Sequence, residues 1–178
     1  MKKQVIKKAA LEKIFKKAEN KIIDVNITNH KEYISDGYCI WIKSLDDISE
    51  TELSDYKKSH DYNMRFGKVQ DDSKKVNLSA FIENTENKQK WDSCEVTETV
   101  NGTYRDRKAV KIIARDNGYY LCDTVIDMKY YDSFSADCVF YVSTNRKTDP
   151  VLVYHNHALV GLIMPVLITS EDPFIPAE

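Results

Sequence analysis

The residues best suited to chemistry lie in "YHNH", where His155 and His157 flank Asn156 between two apolar runs. Histidines two positions apart could share one strand face and present both imidazoles to a zinc or iron ion. Such an ion needs a third and a fourth ligand, and no nearby acid or cysteine has a suitable spacing. The pattern therefore disfavours a metal site and leaves the tight end of a hairpin as the alternative.

The other residues with catalytic potential are scattered along the chain. His60, Glu95, Asp123 and His155 form no series of nucleophile, base and orienting group. The chain contains no Gly-x-Ser-x-Gly elbow, no His-Glu-x-x-His helix and no glycine-rich phosphate loop. Asp36 and Asp123 fit turn and cap positions better than acid–base catalysis. We expect a protein that is not an enzyme and has no cofactor.

Composition narrows the class of protein. The 178 residues suffice for one domain with a proper core, and 42% of them are apolar. No apolar run approaches the roughly 18 to 20 residues of a membrane span, and charges interrupt the N-terminus where a signal peptide would be apolar. We expect a cytoplasmic protein without membrane contact. The four cysteines contain no Cys-x-x-Cys pair and fit small buried residues of a reducing compartment.

Charge is distributed unevenly along the chain. Residues 1–21 contain eight lysines against two glutamates, whereas the remaining chain has 18 basic and 26 acidic residues. Apolar residues at spacings of three and four predict an amphipathic helix from about residue 5 to 21. Its outer face carries Lys13, Lys16 and Lys17. Two interpretations stay open for these lysines, namely a solvated face and a contact with phosphate groups.

The order of the elements predicts an α+β fold. Residues 30–44 fit two strands around Asp36-Gly37, and residues 45–90 fit an insertion that begins with a short helix and continues mainly as loop. Asn101-Gly102 fits the two-residue turn of a hairpin. Helical spacing then predicts a helix over 118–131, and strands rich in Val, Leu, Ile and Tyr follow. The expected architecture is antiparallel sheet backed by two helices.

Several short motifs resemble the domain of bacterial β sliding clamps. Tyr120-Leu121-Cys122-Asp123, Pro150-Val151 and Met164-Pro165-Val166 match its Tyr-Leu-x-Asp, Pro-Val and Met-Pro-Met patterns in order. Upstream, Asp36-Gly37 matches its Thr-Asp-Gly-His-Arg strand, while Tyr38-Cys39 depart from it. The matched parts cover about 65 residues, at 30–43 and 118–168. The resemblance implies one clamp-like domain over residues 1–170, with a C-terminal tail at 171–178.

In that alignment "YHNH" connects the last two strands, with Asn156 where a positive φ is tolerated. The resemblance further implies that Lys13, Lys16 and Lys17 meet the DNA backbone without reading sequence. Asp123 and Asp127 oppose this, because they would make the second helix acidic. Met164, Pro165 and Val166 match the family's groove for short peptides, although Leu167 stands where an arginine is usual. The same residues also fit a final strand that only completes the sheet.

Two functional hypotheses follow from the resemblance. In the first, the chain is a sequence-independent tether on double-stranded DNA in replication or processing, for which a phage or other mobile element is the expected source. A ring would then need six copies, so homo-oligomers are expected. In the alternative, the chain keeps the clamp fold as a protein-interaction module without DNA and binds DNA-processing proteins. Both require residues 118–131 to form a helix that packs on the sheet.

Overall fold

The computed structural model describes residues 5–17, 22–28, 31–44, 62–65, 68–70, 77–89 and 91–177. Three helices are present in this part of the chain, α1 (Lys8–Lys17), α2 (Leu78–Gln89) and α3 (Met128–Tyr131). The strands of the first half are β1 (Ile22–Thr28), β2 (Lys31–Ser35), β3 (Cys39–Ser44), β4 (Tyr62–Arg65), β5 (Lys68–Gln70) and β6 (Ser93–Glu95). Those of the second half are β7 (Glu98–Tyr104), β8 (Arg107–Asp116), β9 (Tyr119–Asp127), β10 (Val139–Ser143), β11 (Val151–His155), β12 (Ala158–Ile163) and β13 (Ile175–Pro176).

The strands form two antiparallel sheets. The larger sheet has nine strands in the order β5-β4-β1-β2-β3-β12-β11-β10-β6, and the smaller has four in the order β13-β7-β8-β9. Side chains of the larger sheet alternate between two apolar faces, since Trp41 and Val153 belong to one buried cluster while Ile42 and Leu152 belong to another. Such alternation follows from the two-residue period of a strand.

The main core lies between the two sheets. The smaller sheet contributes Val110, Ile112 and Ile126, which are fully shielded from solvent. The larger sheet contributes residues such as Trp41 and Val151 to the same cluster. All four cysteines are unpaired; three are buried as the sequence predicted, whereas Cys94 is half-buried.

Helix α2 covers the other face of the larger sheet. Leu78 and Ile82 pack with Tyr33, Ile42 and Leu162 in the second cluster. The helix begins after Asn77, whose side-chain oxygen accepts a 3.0 Å hydrogen bond from the Ala80 amide as an N-cap does. The prediction that most of residues 70–90 form loop is therefore wrong over Leu78–Gln89. The insertion predicted over 45–90 also supplies β4, which pairs with β1 in the larger sheet.

Helix α1 packs on the opposite side from α2. Leu11 belongs to the cluster between the sheets, and Ile6 forms an isolated bridge with Phe134. The helix confirms the predicted element, although it begins at Lys8 and not at residue 5; residues 18–21 of the predicted span lie outside the described residues. The short helix predicted at the start of 45–90 lies outside the described residues.

The prediction of a helix over residues 118–131 is wrong. Residues Tyr119–Asp127 form strand β9, which pairs with β8, and only Met128–Tyr131 are helical. The physical reason is the Asn117-Gly118 pair, which has φ of 49° and 83° and closes a two-residue hairpin turn between β8 and β9. Both functional hypotheses drawn from the clamp resemblance required this helix, so the resemblance no longer supports them, and any contact with DNA has to be argued from the structure itself.

The hairpin predicted around residue 102 is present, but its turn lies elsewhere. Tyr104 pairs with Arg107, so the turn consists of Arg105 and Asp106, with φ of 46° and 59°. Asn101 and Gly102 lie within strand β7. The predicted strand–turn–strand of residues 30–44 is confirmed, with Gly37 at φ 85° between β2 and β3.

The predicted α+β class is confirmed at the level of antiparallel sheets with a few helices. Among the described residues, no helix is long and apolar enough to cross a membrane.

Candidate functional site

The tip of the β7–β8 hairpin is rich in cations. The sequence "YRDRK" places Arg105 in the turn and Arg107 and Lys108 at the start of β8, and all three side chains are exposed. Arg105 and Asp106 both have a left-handed backbone, which projects the turn beyond the end of the sheet. The fold thus concentrates positive charge at one end of the smaller sheet.

A cavity of about 180 Å³ opens beside this tip. Tyr104 and Ala109 contribute its hairpin side, and Val166 contributes its opposite side. The remaining lining residues are charged, namely Arg105, Arg107, Lys108 and Asp127. The site therefore combines a small apolar surface with three cations and one carboxylate.

Residues 164–177, called here the C-terminal belt, run from β9 to the far edge of β7. The Val166 amide donates a 2.8 Å hydrogen bond to the carbonyl oxygen of Val125 in β9. The Tyr104 hydroxyl donates a 2.7 Å bond to the carbonyl oxygen of Leu167. Further along, β13 pairs with β7 and completes the smaller sheet. The belt therefore forms one wall of the cavity and is anchored on both sides of it.

Gly102 permits the belt to dock on β7. A Cβ atom at this position would overlap the Ile175 carbonyl oxygen and would lie 2.5 Å from the Phe174 ring. The backbone of Gly102 has no positive φ, so the requirement for glycine comes from close approach and not from strain. The sequence had suggested a turn at Asn101-Gly102, whereas the glycine provides room for Phe174.

Two of the four charges in the cavity are already paired. Arg105 forms an exposed ion pair with Asp172 of the belt, and the hydrogen bond that it donates to this carboxylate raises the pKa of Arg105. Asp127 is the N-cap of α3 and accepts a 3.0 Å hydrogen bond from the Lys129 amide. Its other oxygen lies 3.7 Å from Lys129 Nζ.

Arg107 and Lys108 differ from these two residues. Neither has an ion pair with any residue that the structure describes. The cavity thus presents two cations that are not neutralised by their described neighbours. Such a site favours an anionic ligand, above all one whose oxygens match a guanidinium fork.

A separate ion cluster lies on the outer face of the same sheet. Asp123 forms two ion pairs. Its Oδ2 atom lies 2.6 Å from Lys111 Nζ, and its Oδ1 atom binds Lys147 Nζ. Burial raises the pKa of Asp123, but the hydrogen bonds from the two lysines outweigh it, so the pKa is lower than usual. The bond to Asp123 raises the pKa of Lys147. Because the two lysines balance Asp123, this carboxylate is structural.

The predicted DNA-binding lysines belong to α1. Lys13 is exposed on this helix. Lys16 and Lys17 are part of the helix backbone, but their side chains lie outside the described residues. The N-terminus of α1 adjoins the segment after α3, since the Lys7 amide donates a 2.8 Å hydrogen bond to the Ser133 carbonyl oxygen.

The predicted peptide-groove residues have different surroundings. Met164, Pro165 and Val166 are half-buried. Val166 lines the cavity, whereas Met164 donates a 2.8 Å backbone hydrogen bond to the Tyr38 carbonyl oxygen in the direction of the larger sheet. Pro165 is not a lining residue of the cavity. The structure therefore brings one of the three residues into the candidate site.

The histidines of "YHNH" lie at the β11–β12 hairpin. The turn consists of Asn156 and His157, with φ of 49° and 64°, which confirms the predicted turn and the positive φ of Asn156. His155 Nε2 lies 3.6 Å from Asp137 Oδ2. Among the described residues, no group of three or more His, Cys, Asp or Glu side chains is placed to hold a metal ion. His60 lies outside the described residues.

The hairpin cations were not predicted, because the turn had been assigned to Asn101-Gly102. The signal was nevertheless present, since "YRDRKAVKIIAR" carries five basic residues and one acid over residues 104–115. If this run is taken as a strand whose alternate positions are exposed, it predicts a strand with a basic face. The contribution of Val166, which is distant in sequence, had no local signal.

Comparisons of the chain with protein-family models, with curated proteins and with solved structures find no match. The chemistry of the cavity is accordingly inferred from its lining residues and their charges.

Proposed function

We propose that this protein is a non-enzymatic DNA-associated protein that contacts the phosphate backbone without reading sequence. The observation that carries the proposal is the placement of cations at one end of the fold. Arg105, Arg107 and Lys108 occupy the hairpin tip, where Arg107 and Lys108 have no ion pair within the described part of the chain. Lysine and arginine contacts to phosphates supply sequence-independent affinity by releasing counterions.

The basic elements are connected through α3. This helix follows Asp127, which pairs with Ala109 next to the hairpin cations. The residues after α3 are hydrogen bonded to the segment that begins α1, through Ser135 and Val5 at 2.8 Å. Helix α3 thus lies between strand β8 of the hairpin and the segment that begins α1. The exposed basic residues of these elements are called here the basic end, namely Lys7, Lys8, Lys13, Arg105, Arg107, Lys108 and Lys129.

Fluorescence anisotropy with two duplexes of unrelated sequence tests the proposal. We expect both duplexes to bind with equal affinity, which falls as salt is raised. The double variant Arg107→Glu/Lys108→Glu should weaken binding and lower the salt slope by roughly 0.9 for each lost phosphate contact. Lys31→Glu/Lys88→Glu makes the same change of charge at two exposed sites outside the basic end and serves as the matched control.

The lysines of α1 are tested separately. Lys13→Glu/Lys16→Glu/Lys17→Glu should also weaken duplex binding in low salt, because α1 adjoins the same end of the fold. If neither multiple variant lowers affinity more than the Lys31/Lys88 control does, DNA contact through this end is refuted.

A clamp-like ring is the narrower form of this proposal. Its support is the antiparallel architecture, the turn at Asp36-Gly37 and the terminal hairpin at Asn156, all at the positions of the resemblance. The match at Tyr120-Leu121-Cys122-Asp123 gives no support, since these residues lie in β9. Light scattering decides between the forms, because a hexamer favours a ring and a monomer favours an isolated DNA-binding domain.

A protein-interaction module is the second candidate function. The belt favours it, since the apolar side chains of Leu167 and Ile175 are 64% and 60% exposed on its surface. Residues of this kind lower the free energy of association when a partner covers them. Loss of a co-purifying client in Leu167→Asp, with an unchanged melting temperature, would support this candidate. Equal recovery of the client with both proteins would exclude the belt as its docking site.

A further inference from the structure

We infer that the cavity at the hairpin tip is a subsite for one phosphate group, for which Asp172 of the C-terminal belt competes at Arg105. The inference rests on the proposed contact with DNA and specifies how one backbone phosphate is held. It also assigns a role to the belt.

The size of the cavity fits a single small oxyanion. Its volume is about 180 Å³, which leaves room for a small oxyanion such as a phosphate group together with some of its water. Ala109 and Val166 provide a wall without polar groups, so the polar contacts come from the charged residues at the rim.

The charges of the lining favour an anion. Asp127 is the one acidic residue among the lining residues, and its oxygens already interact with the amide and the Nζ atom of Lys129. Arg107 and Lys108 retain their charge without a described ion-pair partner. A phosphate oxygen pair can bind the guanidinium fork of Arg107 while Lys108 contributes a point charge.

The ion pair with Asp172 shows that Arg105, the third cation of the cavity, also binds an oxyanion. Its carboxylate binds the Arg105 guanidinium at the rim of the cavity. A local turn holds the carboxylate in place, since the Asp172 amide donates a 3.1 Å hydrogen bond to Thr169 Oγ1. The chain thus places its own carboxylate on an arginine that would otherwise complete the phosphate site.

The pair between Arg105 and Asp172 is weak enough to be displaced. The side chains are 60% and 31% exposed, and ion pairs with such access to water contribute little. A backbone phosphate carries one negative charge, as the Asp172 carboxylate does, but at this site it would interact with Arg107 and Lys108 in addition to Arg105. Binding would therefore compete with Asp172 for Arg105 and free that part of the belt.

Isothermal titration with inorganic phosphate and anisotropy with a 20-base-pair duplex test the inference on the full chain. Asp172→Asn removes the competing charge and should raise affinity for both probes roughly two- to fivefold, the range expected for an exposed ion pair. Glu171→Gln is the matched control, because it removes one negative charge from the adjacent exposed position. Arg107→Ala/Lys108→Ala should abolish binding of inorganic phosphate.

The results of these experiments test the phosphate subsite and the proposed DNA function independently. Equal gains in Asp172→Asn and Glu171→Gln would refute the competition, since only the overall charge would then matter. Duplex binding that depends on Arg107 and Lys108, without any binding of inorganic phosphate, would overturn the subsite and leave the proposed function intact. Phosphate binding that follows the expected order of variants, without duplex binding, would support a subsite for free phosphate and overturn the DNA function.

Discussion

The Tyr130 hydroxyl donates a 2.7 Å hydrogen bond to Oδ2 of Asp36, although the two residues lie 94 positions apart. The other oxygen of Asp36 accepts bonds from the amides of Tyr38 and Cys39 at 3.0 and 3.1 Å. Burial raises the pKa of Tyr130, and the charge of Asp36 raises it further, so the hydroxyl remains a donor. This contact joins α3, next to the basic end, to the β2–β3 turn of the larger sheet.

Tyr130→Phe should lower the free energy of unfolding by about 2 kcal/mol, because it leaves a buried carboxylate oxygen without its donor. Equilibrium unfolding in urea measures this change. Tyr131→Phe is the control, since the neighbouring ring stacks on Phe140 at 4.9 Å and keeps this contact without its hydroxyl. A loss of equal size in the two variants would contradict the role of the hydrogen bond.

The β2–β3 turn illustrates what local sequence can predict. Asp36 and Gly37 are sufficient to predict this turn. The aspartate side chain accepts a hydrogen bond from the backbone of its own turn, and the glycine adopts the positive φ that the turn requires. Alternation then places Ile34 and Trp41 in the main core. The strand–turn–strand depends on residues close together in the chain and was predicted correctly, whereas the face on which Ile34 and Trp41 lie was not predicted.

Strand β9 shows where local sequence is ambiguous. Leu121, Val125 and Met128 recur at helical spacing, whereas Cys122, Thr124 and Ile126 share one face of a strand, and two of these, Cys122 and Ile126, belong to the main core. Both periods fit the same residues. Pairing with β8 decides between them, because Ile126 is then buried between two sheets.

The cavity could not be predicted from local patterns. Its two walls come from residues 104–109 and from Val166, which the belt brings together through the bond between Tyr104 and Leu167. Only the tertiary fold defines this proximity. The predicted lysine Lys13 had a local signal in the helical period of α1, and its exposure agrees with that pattern.

Asp123 should make stability depend on acid pH. Because Lys111 and Lys147 hold its pKa below the usual value despite burial, its contribution is present above an unfolded pKa of about 3.9. The contribution is lost as the pH falls through the lower folded pKa. Asp123→Asn should therefore be less stable than the parent protein at neutral pH, and the difference should shrink below about pH 4.

Urea unfolding at a series of pH values from neutral to strongly acidic measures this dependence. Asp132→Asn, at an exposed position, is the control for loss of one acidic charge. A difference between Asp123→Asn and the parent that stays constant down to the lowest pH would show that the ion cluster does not stabilise the fold.

Gly102→Val should detach the end of the belt. The added side chain would overlap the Ile175 carbonyl oxygen and the Phe174 ring, so β13 could not pair with β7. We expect rapid hydrogen exchange at Ala177, whose amide donates a 2.8 Å bond to Asn101 in the native protein. Asn101→Ala keeps that backbone acceptor and should retain slow exchange. Protection that persists in Gly102→Val would contradict the docking argument.

His157→Gly should stabilise the protein by about 0.5 to 1 kcal/mol. Asn156 and His157 both adopt a left-handed backbone, which costs a residue with a Cβ atom about 1 kcal/mol and costs glycine nothing. The greater freedom of glycine in the unfolded chain offsets part of this gain.

The turn at Asn117-Gly118 has the same geometry with glycine already in second place, so Gly118→Ala should lower stability by a similar amount. Urea unfolding of both variants measures the effect at matched sites. A stability loss in His157→Gly would contradict the prediction, because it would mean that the imidazole forms a contact that outweighs the backbone strain.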